Sequence, residues 1–192
     1  MKTSPIQSRK AWVRTLLLVG VLTAWGALPD VAAAYLTIGK PAPFFSVESG
    51  EDENLTLDML RGKVIILFYE AREVVRKNRE FKDYLKSLYN GQPEAVKENI
   101  FRLVVINCSE ASFVTKPIWR TKLMEGSMRQ GMTIYGDWTG TMLKDYQMQD
   151  DDSNFLIIDG NGIIRYAAIG LIENGQFEKI KELLLNLANN ER

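Results

Sequence analysis

Lys63-Val-Ile-Ile-Leu-Phe-Tyr69 sets six β-branched, aliphatic and aromatic side chains in an unbroken row behind one lysine. A run this short with no polar alternation suits a strand covered on both faces. The next residues change period. From Glu73 to Tyr89 the apolar residues Val74, Phe81, Leu85 and Leu88 recur at helical spacing, and Asn90-Gly91 ends the stretch. Phe101-Arg-Leu-Val-Val-Ile-Asn107 is a second strand of the first kind. A strand, a helix and a strand in that order predict a parallel pair joined by a crossover.

Outward from this core the pattern repeats. Lys116 to Glu125 reads as a helix, Thr133-Ile-Tyr135 as a short strand, and Thr141 to Tyr146 as one or two helical turns. Phe155-Leu-Ile-Ile158 and Ile163-Ile-Arg-Tyr-Ala167 flank Asp159-Gly-Asn-Gly162, a turn signal that predicts an antiparallel hairpin. Gln176 to Ala188 is amphipathic, with Phe177, Ile180, Leu184 and Leu187 on one stripe. Residues 39–49 read as a leading segment and 48–54 as a polar turn. The sum is an α/β domain, a central mixed β-sheet with helices on both faces.

The first 34 residues stand apart. Lys2, Arg9, Lys10 and Arg14 precede an apolar run from Thr15 to Leu28, and Ala32-Ala-Ala34 supplies a small-residue cleavage site. The run is shorter than the ~20 residues a spanning helix needs. This order predicts a cleaved signal peptide over 1–34, a domain over 35–192 starting at Tyr35, and a periplasmic protein. A membrane enters only if the leader is retained.

Composition excludes several chemistries. The 192-residue chain has equal numbers of cations and anions, 24 each. Loss of residues 1–34 removes four cations and one anion, leaving a net charge of −3. Nucleic-acid binding rests on an excess of Lys and Arg, so none is expected. The chain has no histidine, which removes Ser-His-Asp and Cys-His catalysis and His-ligated zinc. Cys108 is the single cysteine, so no internal disulfide forms.

Three segments resemble the thioredoxin-like superfamily, in its thiol-disulfide reductase and peroxiredoxin-type variants. They are Gly39-Lys-Pro-Ala-Pro-Phe44, Leu55-Thr-Leu-Asp-Met-Leu-Arg-Gly-Lys-Val-Ile-Ile-Leu-Phe68 and Phe155-Leu-Ile-Ile-Asp-Gly-Asn-Gly-Ile-Ile-Arg165. They come in the order and spacing of that superfamily and span about residues 38–188. A narrower layout is similar to the periplasmic YtfJ family. It comprises Val104-Val-Ile-Asn-Cys-Ser-Glu-Ala111, Trp119-Arg-Thr-Lys-Leu-Met-Glu-Gly126, Asp145 and the Asp159 turn.

The resemblance implies a Cys-x-x-Cys opening the first long helix and a cis-proline before the hairpin. Neither residue set is here. The first junction reads Phe68-Tyr-Glu-Ala-Arg-Glu-Val-Val-Arg-Lys77, without Cys, Ser or Thr, and the second reads Asp150-Asp-Asp-Ser-Asn154, without Pro. The expected function is a redox-inactive accessory or binding protein with a vestigial active-site surface, acting on another exported protein, with no cofactor and no metal. The alternative is a thiol-dependent oxidoreductase or peroxidase using Cys108. That reading is disfavoured by Glu110 nearby, since a reactive thiolate needs positive charge.

The remaining candidate groups each have a plain-packing or solvated-surface alternative. Met124, Met128 and Met132 are spaced as a soft-metal set, but Gly126 and Gly131 are expected to break any helix that would align them. Asp150 to Asp152 lack the further oxygen ligands of a calcium loop. Arg72, Arg76, Lys77, Arg79, Lys82 and Lys86 make the first long helix basic. The fold geometry implied by the resemblance should bring Asp151 or Asp152 to Arg72 or Arg76, forming a polar docking or anion surface.

Overall fold

The computed structural model describes residues 38–190. The signal peptide assigned to 1–34 and the start at Tyr35 lie outside the described residues.

Seven strands form one mixed sheet: β1 (Ser46–Ser49), β2 (Asn54–Thr56), β3 (Val64–Glu70), β4 (Ile100–Asn107), β5 (Ile134–Asp137), β6 (Ser153–Ile158) and β7 (Ile164–Ile169). Their spatial order is β2-β1-β5-β4-β3-β6-β7. β3, β4 and β5 are parallel, with Leu67 opposite Leu103 and Val105 opposite Tyr135. β6 runs antiparallel to β3, and β7 to β6. Every residue of β3 is buried, as its unbroken apolar run requires. Sequence reading missed the β1–β2 hairpin and the one-turn helix at Glu94–Lys97. The strands of the hairpin are short, and its outward residues are polar.

The helices are α1 (Arg79–Asn90), α2 (Glu94–Lys97), α3 (Lys116–Gln130), α4 (Thr141–Asp145) and α5 (Asn174–Asn190). Side-chain alternation in β3 divides the core. Ile65, Leu67 and Tyr69 pack with Phe45, Leu57, Met142 and Tyr146 under the N-terminal segment and α4. Val64, Ile66 and Phe68 pack with Phe81, Leu85, Phe177, Ile180 and Leu184 under α1 and α5. A smaller cluster of Ile106, Cys108, Leu123 and Ile134 seats α3 on β4 and β5.

Two expectations are corrected. The first helix begins at Arg79 rather than Glu73, behind a short 3-10 turn at Arg72–Val74. Four cations crowd this helix start, where the dipole favours negative charge, and two adjacent valines lose rotamer freedom in a helix. Gly126 does not break α3 but lies buried within it. A Cβ there would sit 3.0 Å from Ile134 Cδ1, so the glycine lets α3 approach β5 closely. Gly131 does end the helix, in the left-handed region at φ 66°.

Candidate functional site: the sealed end of the central sheet

The place where the resemblance assigns a dithiol is the C-terminal end of β3 and the start of α1. A closed polar network fills it. Glu70 ends β3 and is wholly buried. Its carboxylate accepts from Lys82 Nζ at 2.5 Å and from Ser153 Oγ at 2.8 Å. Ser153 opens β6, directly opposite Glu70 in the ladder. Burial raises the Glu70 pKa above the usual carboxylate range, while Lys82 and Ser153 pull it partly back.

Asn78 joins three segments to this network. It precedes α1, and its side chain does not cap the helix. Its amide nitrogen donates to Ser153 Oγ at 2.9 Å and to the Gly170 carbonyl at 2.8 Å, and its oxygen accepts from the Ile172 N–H at 2.8 Å. Lys77 reaches Asp152 at 2.5 Å across the surface. Asn154 holds the loop before β6, accepting from the Gln149 N–H and donating to the Gln149 carbonyl, both at 2.8 Å.

The loop before β6 therefore does pack against the start of α1, but through Lys77 rather than Arg72 or Arg76. Arg72 pairs with Glu73 at 2.8 Å and lies over the Trp119 ring. Arg76 has no carboxylate partner among the described residues. Asp151 accepts from Gln149 Nε2 at 3.2 Å, and Asp150 accepts from Asn107 Nδ2. The 3-10 turn accounts for the change, because delaying the helix leaves Lys77, immediately before Asn78, as the cation facing Asp152. Sequence reading missed Glu70, Asn78 and Ser153. One signal was available: an acid closing an otherwise apolar buried strand needs a partner.

Cys108 is fully buried beside Gly136, where a Cβ would lie 3.0 Å from its sulfur. Burial first, and the Asp137 carboxylate second, push its pKa up to about 12, against a smaller opposing effect of Lys116. Burial and the raised pKa both disfavour the exposed thiolate that a nucleophilic cysteine uses. Asp137 itself accepts from Tyr69 Oη at 3.2 Å and from the Leu143 N–H at 3.2 Å, tying β3, β5 and α4 together. Among the described residues no group of His, Cys, Asp and Glu side chains could hold a metal ion. Met124 lies against Gly50 at the β1–β2 turn, whereas Met132 lines a cavity facing α1.

Solved structures share this architecture. A putative thiol:disulfide interchange protein DsbE from Chlorobium tepidum superposes with a TM-score of 0.58 at 17% identity, covering 80% of this chain and 99% of its own. A putative protein disulfide isomerase from Bacteroides thetaiotaomicron gives 0.61 at 18% identity, covering 81% and 92%. A thiol peroxidase from Chromobacterium violaceum gives 0.56 at 9% identity, covering 79% and 88%.

The fold is thioredoxin-like.

No family model and no curated protein sequence matches the chain. Within the thioredoxin-like frame, the Glu70 network occupies the end of β3, and Cys108 lies at the end of neighbouring β4.

Proposed function

We propose that this is an exported, redox-inactive thioredoxin-like protein that works by binding, with its former active-site end closed by charge and amide contacts. The observation that carries this reading is the buried Glu70–Lys82–Ser153–Asn78 network at the helix start. Dithiol exchange needs a thiolate at that point, stabilised by the helix N-terminus and open to a substrate disulfide. Here a buried carboxylate and its ammonium partner fill the space. Export rests on the basic, apolar and Ala-Ala-Ala order of residues 1–34. Within the superfamily, the layout around Val104 to Tyr166 favours a YtfJ-like protein, and the partner is another exported protein.

Turnover assays test this. The protein and its Cys108→Ser variant are assayed for insulin reduction with dithiothreitol and for peroxide consumption. Both should stay at background. Turnover by the native protein that the Cys108→Ser variant lacks would establish the oxidoreductase or peroxidase reading instead.

A further inference from the structure

The face of the sheet that carries α1, α3 and α5 is not fully covered. β4 is an interior strand, paired on both sides, yet Arg102 and Val104 on this face are only half-buried. A charged residue at such a position is foreign to a sheet covered by helices. The cause lies in where the two flanking helices lean. α1 packs towards α5 through Phe81 and Tyr84 on Phe177, with ring centroids 4.8 and 5.0 Å apart. α3 packs the other way, towards β5 and β1. Arg120 pairs with Glu48 and Asp52, and a Cβ at Gly50 would lie 2.6 Å from the Arg120 carbonyl. Between the two helices runs a groove of about 720 Å³, floored by Phe68, Val104 and Ile106.

Its charge is one-sided. Arg76, Arg79, Lys82 and Lys86 line the α1 wall, Lys122 and Arg129 the α3 wall, and Arg102 the floor, while Glu70 and Asp83 are the acids of the lining. Glu70 is neutralised by Lys82, and Asp83 lies 3.8 Å from Arg79. Glu125 faces Lys122 and Arg129 from α3 itself. Arg76 and Lys86 have no carboxylate partner among the described residues, and Arg102 stacks on Tyr89. The cations are spread along both walls, not gathered at one end. Ile118, exposed on α3, belongs to the groove lining, and Phe113 and Val114 just before α3 are exposed as well.

We propose that this groove seats an acidic amphipathic helix of a partner protein, its apolar stripe on half-buried Val104 and exposed Val75 and Ile118 and its carboxylates along the two cationic walls. This deepens the binding reading above and rests on it. Distributed charge favours a segment with several carboxylates over a single-headed amphiphile. β4 has both neighbours, so the floor offers no free ladder for an added strand, and the ligand must satisfy its own backbone as a helix does. α1 has 12 residues, roughly 18 Å at 1.5 Å per residue, so about three turns of partner helix would match it.

A random dodecapeptide display library, selected on residues 35–192, tests the proposal. Enriched peptides should carry Asp or Glu with apolar residues at helical spacing. A fluorescein-labelled enriched peptide should bind at least ~10-fold more weakly to the Arg76→Glu/Lys86→Glu variant, and more weakly as salt rises. Both sites are exposed, so the variant should fold like the native protein, which thermal melting verifies. Lys179→Glu, on the outer face of α5, should bind normally. No enrichment, enrichment without acidic residues, or binding indifferent to Arg76→Glu/Lys86→Glu would overturn the proposal. So would displacement of the peptide by dodecanoate at lower concentrations than by the unlabelled peptide, which would make the groove a small-amphiphile site. Redox turnover is read separately, so failure of the groove and failure of the binding reading remain distinguishable.

Discussion

Removing the ammonium of Lys82 should destabilise the protein far more at pH 8 than at pH 4.5. The Glu70 side chain is 0% exposed, whereas that of Lys82 is 23% exposed. The pair is thus asymmetric. Lys82→Met keeps the aliphatic stem near Phe68 and deletes the donor 2.5 Å from Glu70 Oε2 and 2.9 Å from the Val75 carbonyl. Glu70 is then a buried carboxylate held only by Ser153. Breaking a buried pair from one side costs about 3–5 kcal/mol. For a domain of this size that lowers Tm by roughly 6–20 °C.

The pH dependence follows from the direction of the Glu70 shift. Burial already holds its folded pKa above the unfolded value, and loss of Lys82 removes the largest opposing influence. An acid with a raised folded pKa binds more protons in the native state, so its contribution is complete below the unfolded pKa of about 4.3 and is lost as pH rises through the folded pKa. The deficit relative to the native protein should therefore be small at pH 4.5 and full at pH 8. Urea unfolding followed by tryptophan fluorescence at the two pH values measures it. Glu70→Gln/Lys82→Met should recover most of the stability, because no buried charge remains. A Lys82→Met deficit below about 1 kcal/mol at pH 8, or one equal at both pH values, would refute the claim that Glu70 depends on Lys82 for its charge.

Three further outcomes are expected. Cys108 should react with a disulfide reagent far more slowly under native conditions than in denaturant; equal rates would show that the thiol is open. Gly136→Ala should destabilise by about 1–3 kcal/mol in urea unfolding, since its Cβ would meet Cys108 Sγ at 3.0 Å and both Leu123 and Trp138 at 3.1 Å; a neutral result would mean these neighbours yield freely. A double-mutant cycle of Lys77→Ala with Asp152→Ala should give a coupling of up to about 1 kcal/mol that weakens with salt, whereas Arg76→Ala with Asp152→Ala should give none; the reverse ranking would return the contact to Arg76.

The sequence by itself determined the five strands β3 to β7, and left the β1–β2 hairpin unread. The unbroken run of β3 could be stable only with both faces covered, and the Asp159 turn forced an antiparallel return, with its side chain accepting from the N–H groups of Asn161 and Ile163. The missing dithiol was equally legible, because absent residue types need no structure to be counted. Which cation meets Asp152 was not legible. That depends on where the helix begins: the cations and valines of 72–77 disfavour an early start, but the start at Arg79 is held by Asn78 bonding Ser153, Gly170 and Ile172, residues 75 or more positions away in the chain. The Glu70–Ser153 pair has the same character, formed by ladder register between strands 83 residues apart. The groove over β4 is the furthest from sequence. Arg102 reads as one charge in an apolar strand, and only the opposite lean of α1 and α3, each drawn to its own neighbour, leaves that charge on the groove floor, stacked on Tyr89. Local pattern specifies elements; the distances between elements come from contacts that no single segment contains.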